Sequence, residues 1–355
     1  MPAAITPVLQ QEPPLKDFTE GVRAGKAINW YRTKIPAAEM KKLHERSDAK
    51  GAVQTLGYLA VLLGFGVAAW YSFNHWPWYA TAGLVFLYGM VNAFLINAVH
   101  ELGHGTVFAS KWLNAFFCRV FAFLGWINHE TFASSHIRHH RYTLHPPDDL
   151  EVVLPVKLAV WHALQTGIVN PLRFFRESLA DTVRIARGKF RGEWELTLYP
   201  ESDPDSRKAP VRWARFLLAG HGAIIVASVA TGQWIIPILT CGHLCYGSWL
   251  FFFCNNTQHV GLRDFVDDFR LCSRTFTLNP VVGFLYWHMN YHIEHHMYAA
   301  VPCYNLGRLH KLIEHDLPTT PRGLTGVWRQ IDMILRRQAA DPLYQFEPAL
   351  PVKAV

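Results

Sequence analysis

Two long stretches of the chain carry no Lys, Arg, Asp or Glu, from Gly51 to His100 and from Phe216 to Leu262. Each is more than twice the roughly 20 apolar residues that cross a bilayer as a helix, so each predicts a hairpin of two spanning helices. The first hairpin covers Gly51 to Phe73 and Trp78 to Val99, turning at Asn74-His75-Trp76-Pro77, where the aromatics suit a membrane interface. The second covers Phe216 to Ala230 and Trp234 to Phe253, turning at Thr231-Gly232-Gln233. Between the hairpins the apolar pattern is interrupted. Trp112 to Phe132 is broken by Arg119, Asn128, His129 and Glu130, and Val152 to Phe175 by Lys157, His162 and Pro171. Both read as half-immersed helices. Past the second hairpin, Arg263 to Arg274 reads as charged and exposed, and Leu306 to Leu317 and Val327 to Arg337 as amphipathic helices.

The pattern predicts an all-α integral membrane fold with four transmembrane helices. A single domain at 51–338 holds hairpins at about 51–99 and 216–253 and a helical cap at 100–215 and 254–338. A polar, proline-bearing arm (1–50) precedes it and a tail (339–355) follows.

Charge orients this fold. Only 17% of the residues are charged, against about a quarter in soluble proteins. None of the thirty-four Lys and Arg lies in a hairpin turn, so the positive-inside rule places the cap and both chain ends in the cytoplasm. A net charge of +7 then describes a basic surface beside anionic headgroups and calls for no nucleic acid. The six cysteines form no Cys-x-x-Cys pair and read as structural and reduced. Residues 1–50 lack the apolar core of a secretory signal.

The candidate chemistry is in the histidines. His136-Ile137-Arg138-His139-His140 and His292-Ile293-Glu294-His295-His296 share the pattern His-x-x-His-His. Residues three and four apart share a helix face, so each run is expected to aim three imidazoles at one point. His100 and His104 stand one turn apart, as do Asn255 and His259. The topology, drawn without the histidines, puts all four groups on the cytoplasmic side. Imidazole leaves zinc, copper, iron and nickel open, but nine histidines exceed the four groups that usually close one zinc. They suffice for two metals at about four or five ligands each, and vacant positions suit a small molecule such as dioxygen. The isolated His44, His75, His162, His221, His243, His310 and His315 read as packing. His129, His145 and His288, near the clusters, read as groups that orient ligands. Glu101, Glu294, Asp148 and Asp149 read as hydrogen-bond acceptors for imidazoles or partners of Arg138 and Arg141.

With two hairpins around them, His100-Glu101-Leu102-Gly103-His104 and the two His-x-x-His-His runs resemble the three histidine boxes of the membrane fatty acid desaturase family, over about residues 50 to 315. The resemblance implies a non-haem di-iron centre. Its two Fe ions would activate O2 with two electrons and remove hydrogens from an unactivated carbon chain of a lipid or acyl substrate. It implies the metal set His100, His104, His136, His139, His140, His259, His292, His295 and His296, with Asn255 approaching one iron. Three residues separate the first-box histidines, as in acyl-lipid-type members. No His-Pro-Gly-Gly haem sequence is present, which implies a separate donor of ferredoxin, rubredoxin or cytochrome b5 type. The run Met297 to Leu306 resembles that of bacterial relatives acting on small amino-acid-like or other unusual substrates, so such a substrate is the alternative to an acyl chain. Hydroxylation is the alternative reaction. From other classes, His100-Glu101-Leu102-Gly103-His104 also matches the zinc metalloprotease pattern, and a metal carrier or receptor would use the histidines only for binding.

Overall fold

The computed structural model describes residues 27–156, 158, 168–170 and 174–351. Residues 1–26 of the arm, 352–355 of the tail, His162 and much of the half-immersed helix expected at Val152 to Phe175 lie outside the described residues. Among the described residues every regular element is helical, and β pairing is limited to isolated bridges.

The first hairpin forms, with one interruption in its second helix that the sequence does not predict. Ser47 caps Asp48–His75, its hydroxyl accepting from the Lys50 amide at 3.3 Å. Pro77, with φ −60°, starts Trp78–Asn92. The two helices are tied by Tyr58 Oη donating to the Val91 carbonyl at 2.6 Å and by the Ser72 and Thr81 hydroxyls at 2.9 Å. After a break at Ala93 and Phe94 the second helix resumes as Leu95–Gly103. Among the described residues three helices are long and apolar enough to cross a membrane: Asp48–His75, Trp78–Gly103 and Lys208–Thr231. Their outer faces expose large apolar side chains, among them Val53, Val67 and Val226. Exposed apolar side chains along such helices suit lipid.

The fourth expected helix, Trp234 to Phe253, is not continuous. The stretch folds as Ile235–Thr240, a 3-10 turn at Gly242–Cys245, and Trp249–Asn255. Pro237 has no amide hydrogen for the helical ladder, and Gly247 takes φ +76°, where helices end. That glycine also lies against backbone: a Cβ on Gly247 would stand 2.6 Å from the Met90 amide nitrogen. Close packing of the broken segment on Trp78–Asn92 thus depends on small residues.

Two further expectations are corrected. Trp112 to Phe132 is two helices, Lys111–Leu124 and His129–Tyr142. Gly125 and a left-handed Trp126 (φ 54°) break the run, and Asn128 caps the second helix. Arg263 to Arg274 divides: residues 263–267 stay at the surface, with Phe265 45% exposed, whereas residues 268–274 are buried apart from the half-buried Leu271. Arg270 is 5% exposed and donates to Asp268 Oδ2 at 2.7 Å and Asp316 Oδ1 at 2.6 Å. Its guanidinium lies 3.9 Å from the Tyr31 ring centre, and Tyr31 and Thr33 each donate to Asp316 Oδ2 at 2.7 Å. The charges there clamp the chain near residue 30 onto the cap. Arg274, 4% exposed, donates to the Thr257 and Val260 carbonyls.

The remaining cap helices, Leu306–Ile313 and Gly323–Ala340, bury Leu306, Leu309 and Ile313, and Val327, Ile331 and Ile334. That is the spacing of an amphipathic face. All the cysteines but Cys245 are buried.

Candidate metal centre

Three helices and one turn converge on the site. His100 and His104 come from the end of Leu95–Gly103. His136, His139 and His140 come from His129–Tyr142, and His292, His295 and His296 from His292–Met297. His259 lies in the turn that follows Trp249–Asn255. Asn255 ends that helix, so the pair does not share one helical face as its spacing suggests. Both residues nonetheless line one cavity together with His292.

The nine imidazoles divide into two groups. His100, His104, His136, His140 and His295 form one, and His139, His259, His292 and His296 the other, with the nitrogen atoms of each group within 4.8 Å of one another. Neither His-x-x-His-His run aims three rings at one point. Positions i and i+4 of a helix are offset by about 40°, whereas i+3 and i+4 are about 100° apart. The outer pair of each run therefore serves one group, and the middle histidine, His139 or His295, serves the other.

Outer hydrogen bonds set the tautomers. His259 Nδ1 donates to the Cys272 carbonyl at 2.7 Å; a carbonyl can only accept, so Nε2 presents its lone pair inward. His136 Nδ1 meets Glu151 Oε1 at 2.9 Å, His139 Nδ1 meets Asp149 Oδ2 at 2.8 Å, and His100 Nδ1 meets Glu101 Oε1 at 2.9 Å. On the inner side the Nε2 atoms crowd together: His259 and His292 at 2.9 Å, His292 and His296 at 3.1 Å, and His140 and His295 at 3.1 Å. The buried Nε2 atoms of His104 and His136 have no hydrogen-bond partner among the described residues. Inward lone pairs without donors are what a cation at each focus would satisfy.

Burial lowers the His259 imidazole to about 3 and His104 to about 4, so both are neutral near pH 7, as metal coordination requires. His139 differs. Burial lowers it too, but the Asp149 carboxylate outweighs this and holds it above its ordinary value. Burial also pushes the Glu151 carboxyl up to about 7.

Of the carboxylates expected to orient rings, Glu101 and Asp149 do so. Asp148 takes the other expected role and pairs with Arg138 at 3.1 Å. Glu294 turns away from the clusters to His310 Nδ1, at 2.5 Å, and to the Thr275 hydroxyl. His145 bonds the Thr143 carbonyl and His129 packs edge-on against Trp213. Neither they nor His288 hydrogen-bond to a ring of the clusters. Sequence reasoning missed Glu151, the Cys272 carbonyl, and Thr143, whose Oγ1 lies 3.3 Å from His296 Nδ1. No spacing rule links these residues to the histidines they hold.

The model of the family described as fatty acid desaturase matches residues 76–328, well over half of the chain. The chain belongs to the fatty acid desaturase family. No curated protein matches it. All four histidine groups of this desaturase-family chain, together with Glu101, Asp149 and Glu151, fall inside the matched residues. The metalloprotease alternative needs Glu101 facing a water beside one zinc. Instead Glu101 is 1% exposed and hydrogen-bonded to His100, with His295 Nδ1 3.5 Å away.

Proposed function

We propose that this protein is an O2-dependent, non-haem di-iron oxidoreductase that introduces a double bond into an acyl chain or similar unactivated carbon chain. The observation that carries the reading is the division of nine imidazoles, seven buried and His104 and His140 half-buried, into groups of five and four. In this reading His100, His104, His136, His140 and His295 hold one iron, and His139, His259, His292 and His296 hold the other, with Asn255 beside the four-histidine group. When bound, the iron pair supplies the activation of dioxygen by two electrons from a separate donor of ferredoxin, rubredoxin or cytochrome b5 type. The chain's own residues supply position and exclusion. Cys272, Asp149, Glu151 and Glu101 fix ring orientation from outside. A cavity of about 210 Å³ runs past His100, His136, His139, His259 and His292, and Leu95, Ile96, Phe132 and Phe251 give it apolar wall for a hydrocarbon.

The same reading makes residues 51–338 one multi-pass membrane domain between an arm and a tail. The broken segment after Thr231 completes the fourth crossing, so both chain ends and the metal centre lie in the cytoplasm.

The test compares lipid and metabolite mass spectra of cells expressing the wild type or His139→Ala, alongside metal analysis of both purified proteins. A product lacking two hydrogens, made only by a wild type that contains about two irons per chain, is expected. A product gaining one oxygen moves the reaction to hydroxylation. One zinc per chain, or identical spectra, overturns the proposal.

A further inference from the structure

We infer that the cavity beside the histidine clusters receives a chain bearing an internal hydrogen-bond donor, such as a hydroxyl, and that Asn92 and Asn97 accept it. The inference rests on the oxidoreductase reading and adds the substrate class to it. Asn92 is 2% exposed and Asn97 5%, both line the cavity with His100 and His136, and both lie in the Trp78–Gly103 span. Neither Oδ1 has a hydrogen-bond partner among the described residues. Asn92 does use its amide nitrogen, donating to Tyr88 Oη at 3.4 Å.

Two buried amide oxygens without a partner are costly, and within a membrane-spanning segment bulk water does not relieve them. Their placement is also built. On an unbroken helix residues five apart point about 140° away from each other, so Asn92 and Asn97 would not share a wall. The helix instead breaks at Ala93, and Phe94 takes φ −84° and ψ 0°, its amide closing a tight turn on the Val91 carbonyl at 3.1 Å. That break brings both asparagines to one cavity. Asn97 precedes His100 by three residues, so it stands one turn away on the same helix face. A donor held by Asn97 lies next to the histidine clusters. A plain saturated chain would leave both oxygens unpaired, and a site with unpaired polar groups discriminates against the ligand that lacks the partner.

The probes are octadecanoic acid, its mid-chain monohydroxy isomers and the matching ketones, with binding measured at equilibrium to full-length protein in lipid nanodiscs after incubation with ferrous iron and measurement of the iron retained. At least one hydroxy isomer is expected to bind about tenfold tighter than octadecanoic acid, with its ketone, which only accepts hydrogen bonds, showing no gain. Asn97→Leu and Asn92→Leu should each remove most of that preference while iron content stays the same. Equal wild-type binding of all probes overturns the inference, needs no variant, and leaves the di-iron reading standing if iron and product are present. A preference that survives in both leucine variants overturns the assignment to these asparagines. A hydroxyl preference in a protein that binds no iron and oxidises no chain supports the subsite and sinks only the oxidoreductase reading.

Discussion

Glu151 lies fifteen residues beyond His136, outside every histidine run, yet its Oε1 meets His136 Nδ1 at 2.9 Å. Its other oxygen accepts from Ser135 Oγ at 2.5 Å, and Ser135 in turn accepts from Trp194 Nε1 at 3.0 Å. Glu151 thus holds a candidate metal-binding ring in one orientation and is itself held. Glu151→Ala is expected to lower metal affinity or turnover by about 10–100-fold, the usual cost of losing such a partner. Glu151→Gln, whose amide oxygen still accepts, should lose less. Iron titration of the two purified variants checks the order.

The two groups differ in redundancy, which gives a second prediction. Five histidines surround one focus and four the other, so removing one leaves four in the first case and three in the second. His296→Ala is therefore expected to lose more iron than His140→Ala. Each variant should still retain close to one equivalent at the untouched focus. Metal analysis after dialysis against a mild chelator reads this directly, and equal loss of both equivalents from either variant would mean that the foci are not independent.

The histidines were legible in the sequence because three- and four-residue spacing marks a helix face without tertiary knowledge. Their division was not. His139 and His140 are neighbours in sequence but serve different groups, which depends on where His259 and His295 arrive from other segments. Glu151 and the Cys272 carbonyl were invisible for the same reason, since one sits in an irregular loop and the other is backbone. Charge-free length announced the hairpins, but length cannot register the left-handed Gly247 that breaks the last segment, nor the buried pairing of Arg270 with Asp268 and Asp316. A run of charges looks exposed until its partners are known.

The broken segment yields a third prediction. A methyl on Gly247 would meet the Met90 nitrogen at 2.6 Å and the Gly89 carbonyl carbon at 2.7 Å, and φ +76° penalises any side chain. Backbone cannot swing aside as a side chain can, so Gly247→Ala is expected to cost about 1–3 kcal/mol from overpacking, with backbone strain in addition. Gly64→Ala is the control. Nothing lies within 4 Å of its added methyl and its backbone is helical, so its midpoint should hold or rise. Thermal unfolding of the detergent-solubilised variants separates the two.

A fourth prediction addresses the membrane arrangement and depends on whether the interrupted stretch Ile235–Asn255 crosses. If it does, the chain has an even number of crossings, and Asp341 lies on the side opposite the Asn74 turn. If it does not, three crossings put Asp341 and Asn74 on the same side. Both residues are exposed, and five of the six native cysteines are buried, so an introduced thiol can be labelled over a low background. Asn74→Cys is expected to react with a membrane-impermeant maleimide in intact cells, and Asp341→Cys only after permeabilisation. Labelling of both from outside would leave the last segment on one face of the bilayer. The reversed pattern would keep the four crossings but turn the histidine clusters away from a cytoplasmic electron donor.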